Sequence, residues 1–503
     1  MDRTSAHAGH DDRFPAPEFA ETVLEPIFAH QQAHHLADLL RLHRAHGIML
    51  AEQGLLTREE IAALLAALDD VERDLASGGP AAYTGEHEDL FFFVDSELKR
   101  HVGADTAGRL HTGRSRNDID HALFKMKLKE GVDSLAARLL GVVETLIERA
   151  EADAATIVLA YTHGQPAQPT TYGHYLGAAI EMLLRDATRL EQAREILDLS
   201  PMGAAAITTT GFPLDRARMA ELLGFSGILR NSYGCIAAAD YTAGLFSAVK
   251  VLALDLGRLA QDMAFWTSFE VGQLRFSDGF VQISSIMPQK RNPVPVEHMR
   301  LMASLAAGRC DAVMTALHNT PFTDMNDNEH AVHGEGYAAL AMMERVLVLL
   351  GAVVRSARVD EARARLNIER SFATITELAD TLVRDERIPF AAAHQVAADL
   401  ARAMQADGST LSTAPYATLA ALFERAVGRP PTLTEARFRA CVTSEHFVAM
   451  RSLPGGPAPS AMAESRALHL AAAAELRARL AGHAEARRRA DAAVSDAADR
   501  FRT

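Results

Sequence analysis

Residues 284–293 read Ser-Ser-Ile-Met-Pro-Gln-Lys-Arg-Asn-Pro, which puts two hydroxyls, an ammonium, a guanidinium and two amides into one short stretch. Pro288 and Pro293 flank Gln-Lys-Arg-Asn. A proline inside a helix lacks its N–H and clashes with the preceding turn, so a shaped loop is expected here. Polar groups on such a loop, between apolar helical stretches, point to binding or catalysis. A solvated connector with an incidental charge cluster is the plain alternative. Two other stretches carry similar chemistry. His111–Asp120 reads HTGRSRNDID. It is either a solvated cap for the helix that follows or a carboxylate-capturing set of guanidinium, hydroxyl and amide donors. Tyr161–Pro169 reads YTHGQPAQP, where a glycine and two prolines force a loop bearing Thr162, His163 and Gln165. A lone histidine is most often a structural hydrogen-bond partner, and the loop context weakens that reading.

The elements that must position these loops are helical. The 503 residues suffice for about three domains. Hydrophobic residues at 48% with aromatics at only 6% fit packed helices better than β-sandwiches. Leu128, Val132, Leu135, Leu139, Val142 and Leu146 recur at alternating spacings of four and three, the pattern of a helical bundle. Further helices are expected over about 170–199, 235–268, 294–318 and 335–357. Thr57 with Glu60 forms a capping-box pattern. Leu90–Val94 fits a buried helical piece, with a short strand as the competing assignment. Pro201–Pro213 is a small-residue loop, and Thr320–Glu335 has the composition of a solvated acidic loop. Shorter helices begin near residue 366, and the last 40 residues form one amphipathic surface helix. Residues 1–16 are polar and expected to be mobile.

The bulk charge of −14 argues against a nucleic-acid or anionic-membrane surface but leaves room for a local basic pocket and an anionic small substrate. Cys235, Cys310 and Cys441 are far apart, with neither metal spacing nor a disulfide framework, so a cytoplasmic location is expected. No signal peptide and no uncharged apolar run of 18 residues is found.

Taken together, the three loops resemble one family. SSIMPQKRNP is similar to the signature of the aspartase/fumarase superfamily, and HTGRSRND and YTHGQPAQP resemble its companion segments as argininosuccinate lyases carry them. The weaker helical match spans residues 40–460. The resemblance implies an all-α subunit with domains near 1–112, 113–365 and 366–503. The middle domain would form the core of a homotetramer whose active sites are each shared by three subunits. It implies β-elimination of fumarate from an N-substituted aspartate, a carbon–nitrogen lyase reaction needing no cofactor and no metal. Carried over by position, Ser284 matches the general base, and Lys290 and Asn292 match the holders of the carboxylate whose charge grows as the proton leaves. Thr162 and His163 match the facing Thr-His pair, with Gln165 beside them and His163 as proton donor to the amine. Glu297 matches the carboxylate that orients that histidine, and Ser115, Arg116 and Asn117 match a carboxylate-binding trio.

The departures fall on the amine side. Glu88-Asp89-Leu90-Phe91 stands where argininosuccinate lyases have Glu-Asp-Ile-His, and Leu39–His43 lacks their Asp-x-x-Gly-Ser. Their Trp-Gly-Gly-Arg-Phe-like N-terminal segment is absent. Ile119 replaces a Gln, Asp324 a Tyr and Glu329 a Gln. The segment Asn319–Asp324 resembles a divergent branch that includes ethylenediamine-disuccinate lyase. The expectation is an amine other than arginine, with Asp324 and either Asp327 or Glu329 facing a cation, and with the positions around Phe91, Ile119 and Asp324 setting the substrate. A true argininosuccinate lyase is the alternative. A non-catalytic relative, like the lens crystallins of this family, is a third reading.

Overall fold

The computed structural model describes residues 14–79 and 81–502. Most of the polar N-terminal segment expected to be mobile lies outside the described residues. The chain is 71% helical, so the all-α expectation holds. Strands occur among the described residues only as two-stranded ribbons.

The helices that matter below are α1 (Glu25–His34), α2 (Leu36–Glu52), α3 (Arg58–Gly78), α4 (Leu90–Val102) and α5 (Arg116–Ala152). A hairpin of β1 (Ile157–Thr162) and β2 (Gln165–Thr171) follows, then α6 (Tyr172–Leu197) and α7 (Asp240–Thr267). Next come β3 (Gln282–Ile283), β4 (Arg291–Asn292), α8 (Val294–Leu317), α9 (His330–Ser356) and α10 (Glu361–Arg370). After several shorter helices the chain closes with α11 (Pro459–Arg502).

Helices α5 to α9 form the bundle. The predicted seam on α5 is buried along its whole length, from Leu128 to Leu146, and packs into the largest apolar cluster with Leu183, Leu252 and Val346. The second cluster joins α2, α3 and α4 to the start of α5, and the third lies within residues 372–442. Local signals explain the starts of these elements. Thr57 and Glu60 do form a capping box. Leu90–Val102 is helical, with the Asp89 carboxylate accepting the Phe92 N–H at 3.0 Å as its cap, which settles the strand alternative. Helix α11 leaves the third cluster and returns along the bundle, burying Leu476 in the first cluster and Val494 in the second. Helix α9 is long and apolar enough by composition to cross a membrane, yet 56% of that window is buried in the bundle. The three cysteines are buried and unpaired.

One expectation needs correction. Tyr161–Pro169 is not an irregular loop but most of a β-hairpin, in which Thr162 faces Gln165 across a two-residue turn. Pro166 and Pro169 lie in β2 of a ribbon with only two strands, where both strands are edges and a missing N–H is tolerated.

Candidate active site

The 284–293 stretch is a loop closed by a short ribbon, with Gln282 opposite Asn292 and Ile283 opposite Arg291. The Lys290 N–H donates to the Met287 carbonyl at 3.0 Å, and the Asn292 side-chain amide donates to the Gln282 carbonyl at 3.2 Å. Ser284 stands at the mouth of this loop. Its Oγ accepts the N–H of Met287 at 3.1 Å and of Ile286 at 3.4 Å. Two amides aimed at one hydroxyl oxygen favour negative charge on it, which an alkoxide base requires. Lys290 has no ion-pair partner among the described residues. With Asn292, Glu297, Arg300 and Arg363 it lines a cleft of about 1060 Å³. Glu297 is exposed in the first turn of α8. Ile283 and Ile286, 72% and 82% exposed, leave this loop apolar and uncovered on the single chain.

His163 sits at the tip of the β1–β2 hairpin. It and Gly164 have φ of 54° and 70°, and two successive positive φ values match the type I′ turn that fits the twist of two-residue hairpins. Histidine is one of the few non-glycine residue types enriched in this region, so it tolerates the turn that presents its ring. Thr162, His163 and Gln165 are all exposed. The hairpin is anchored by Gln273, wholly buried, whose amide donates to the Leu159 carbonyl and accepts the Leu159 N–H, both at 3.0 Å.

At the start of α5, Ser115 caps the helix in a capping box with Asp118. Asp118 also accepts the N–H groups of Gly203 and Ala205 at 2.9 Å, and burial pushes its carboxyl up to about 6. The Asn117 side chain donates to the Ala206 carbonyl at 3.0 Å. The cap reading of this motif is therefore satisfied, and it leaves the Arg116 side chain free for other partners. Arg116 pairs with Asp89 at 2.8 Å and Glu88 at 3.1 Å and lies over the Phe92 ring at 5.2 Å. Asp120, Asp324 and Glu329 share this electrostatic neighbourhood. Glu329 is pushed up to about 7, first by burial and then by Asp324. Asp324 is raised by burial against the pull of Arg116, and Asp120 well above its ordinary value by burial and by Glu329. Two carboxylates thus pair with one guanidinium, and three more lie within its electrostatic reach. An added cation relieves that repulsion, and an added anion aggravates it.

Sequence reasoning did not single out Asp120 or give Glu88 and Asp89 a role. A signal existed for Asp120, four residues after Arg116 on the same helix face. Asp327 is exposed, while Glu329 joins the group. Phe91 and Ile119 are core residues, 7% and 1% exposed, packed in the second apolar cluster. Phe91 also lies against His111 and Arg114 of the HTGRSRND segment, at 5.4 and 5.8 Å, while Asp324 and Glu329 are the altered positions whose carboxyls join the acidic group.

One chain does not gather the whole set. The 37 residues of α5 span about 55 Å at 1.5 Å each. Arg116 and Asp324 lie at one end of the bundle. The hairpin follows the other end of α5, and the signature loop leads into α8 there. His163 makes no hydrogen bond or ion pair with Glu297 or Ser284 among the described residues.

The profile of a family described as Lyase matches residues 40–308, and one described as Argininosuccinate lyase C-terminal matches 372–449. Argininosuccinate lyase 2 of Agrobacterium fabrum (strain C58 / ATCC 33970) is 52% identical over 91% of this chain and 90% of its own. Argininosuccinate lyase of Methanoculleus marisnigri (strain ATCC 35101 / DSM 1498 / JR1) is 36% identical over 85% of each. Among solved structures, EDDS lyase in complex with formate superposes with a TM-score of 0.85 at 28% identity, covering 97% of this chain and 96% of that one.

Proposed function

Since the chain belongs to the argininosuccinate lyase-like branch of the aspartase/fumarase superfamily and is a fumarate-releasing carbon–nitrogen lyase, we propose that its substrate is an N-substituted L-aspartate whose leaving amine is cationic and is not arginine. Ethylenediamine-disuccinate or a related aminocarboxylate fits this class. The observation that carries the reading is the acidic group around Arg116. Asp324 and Glu329 replace the tyrosine and glutamine of argininosuccinate lyases, and both join it.

In the proposed mechanism Ser284 removes the proton beside a carboxylate. Lys290 and Asn292 hold that carboxylate as it becomes an aci-dianion, and the loop amides stabilise the serine alkoxide that takes the proton; after the products leave, Ser284 gives that proton to water and His163 takes one back. His163, oriented by Glu297, delivers a proton to the departing amine. Ser115, Asn117, Thr162 and Gln165 fix the succinyl group, and Arg116, paired with Asp89 and Glu88, holds the acidic group that faces the amine. The length of α5 and the exposed apolar loop support a homotetramer in which three chains complete each site. The three unpaired cysteines support a reducing, cytoplasmic location.

A second reading, argininosuccinate itself, is favoured by the names of the relatives. The test is to incubate the enzyme with fumarate and a panel of amines, and in the forward direction with argininosuccinate, ethylenediamine-disuccinate and aspartate. Adducts with diamines and slow turnover of argininosuccinate are expected. Argininosuccinate as the best substrate by a wide margin would overturn the amine assignment. No fumarate from any succinyl-amine would overturn the lyase mechanism as well.

A further inference from the structure

We propose that His30, His35 and His330 form a binding site for one divalent transition-metal ion, zinc by its chemistry, that ties the N-terminal helices to the bundle. The three imidazoles come from three places: His30 from α1, His35 from the junction of α1 and α2, and His330 from the first turn of α9. Each offers a ring nitrogen, and the three nitrogens lie within 4.8 Å of one another. His30 Nε2, His35 Nδ1 and His330 Nδ1 are all buried and without a hydrogen-bond partner. Buried polar atoms are nearly always satisfied, so three unsatisfied nitrogens on three neighbouring rings need an explanation. A shared ion supplies one.

The opposite ring nitrogens have partners. His330 Nε2 lies 2.8 Å from the Gln31 carboxamide, and His35 Nε2 lies 3.5 Å from the Tyr337 hydroxyl. In this structure the Gln31 oxygen accepts the Leu90 N–H at 3.0 Å and its Nε2 donates to His330 Nε2, so loading His330 through Nδ1 requires the Gln31 carboxamide to flip and the ring proton to move to Nε2.

An aromatic-packing role alone leaves the nitrogens unexplained. His30 does stack on Tyr337 at 5.7 Å, but an apolar ring would serve that contact without three unsatisfied polar atoms. Zinc–nitrogen bonds of about 2.0–2.1 Å at tetrahedral angles put donors about 3.3–3.4 Å apart, so loading requires the rings to close by about 1–1.5 Å. His30 is only partly buried and can make that movement. It also opens a path for entry, with His34 beside it at 4.6 Å between ring centroids. An all-nitrogen donor set favours zinc and neighbouring transition metals over magnesium or calcium.

The site is tested on untagged protein stripped with a chelator and titrated with Zn²⁺, then with Co²⁺ as a spectroscopic probe. The expected result is about one ion per chain with a dissociation constant at or below about 1 µM, a rise in thermal midpoint, and the visible bands of a four-coordinate Co²⁺ site. His30→Gln and His330→Gln should each lose the stoichiometric ion, and His298→Gln, at an exposed position on α8, should keep it. If His330→Gln misfolds, His30→Gln decides, provided its circular dichroism and elution match the parent. Absence of stoichiometric uptake, or uptake that survives His30→Gln, overturns the proposal.

Discussion

Ser284 receives two backbone amides from its own loop, so the loop that presents the proposed base also stabilises its charged form. Ser284→Ala should lower turnover by at least about 10²–10³-fold while leaving substrate affinity nearly unchanged, as measured by steady-state kinetics and calorimetry. Glu329 gives a second expectation. Its carboxyl is raised to about 7, so it is protonated below that pH and anionic above it. Affinity for a cationic amine in the addition direction should therefore weaken as pH falls through about 7, with KM for the amine rising up to about tenfold per unit. The KM for fumarate should not follow the same curve. Glu329→Gln should remove the dependence and hold KM at its low-pH value, and Asp324→Asn should raise it across the range. A flat amine KM in the parent enzyme would sink the acidic-pocket reading.

At the scale of elements, the hairpin that carries His163 depends on one buried amide. Gln273→Leu leaves the N–H and carbonyl of Leu159 without partners, and should cost about 1–3 kcal/mol of stability and lower kcat, read by thermal unfolding and turnover. Nothing in the sequence near residue 273 announced that role, because it pairs with a strand more than a hundred positions away. What was legible followed local rules. The α5 seam appeared as a spacing, the α3 start as a cap, and the signature as a proline-bounded loop. The hairpin was missed because Thr-His-Gly-Gln looks like loop composition until the positive φ of His163 and Gly164 makes it a turn. The acidic group was half legible. Asp324 and Glu329 stood out against a family pattern, whereas their meeting with Glu88, Asp89 and Asp120 depends on how α4, α5 and α9 pack. Phe91 and Ile119 also departed from the pattern, and both pack in the second apolar cluster.

For the molecule as a whole, the decisive quantity is the length of the bundle. Helix α8, which joins the loop of the proposed base to the segment before Asp324, spans about 36 Å at 1.5 Å per residue, so the proposed site draws on several chains. Two impaired variants, Ser284→Ala and Asn117→Ala, should therefore rescue each other. Subunits mixed one to one and allowed to reassemble should recover about a quarter of parental activity, because that fraction of sites draws both intact parts. Recovery no better than the variants alone would mean that each site is made by one chain. The same separation bears on inheritance. Suppose a second gene copy drifted only around Asp324. Its product, made alongside the parent's, would lend an altered appetite for amines to sites whose base came from the unaltered copy. A change at one end of the rod would then belong to the whole mixed population of enzymes in the cell, not to the molecules that carry it.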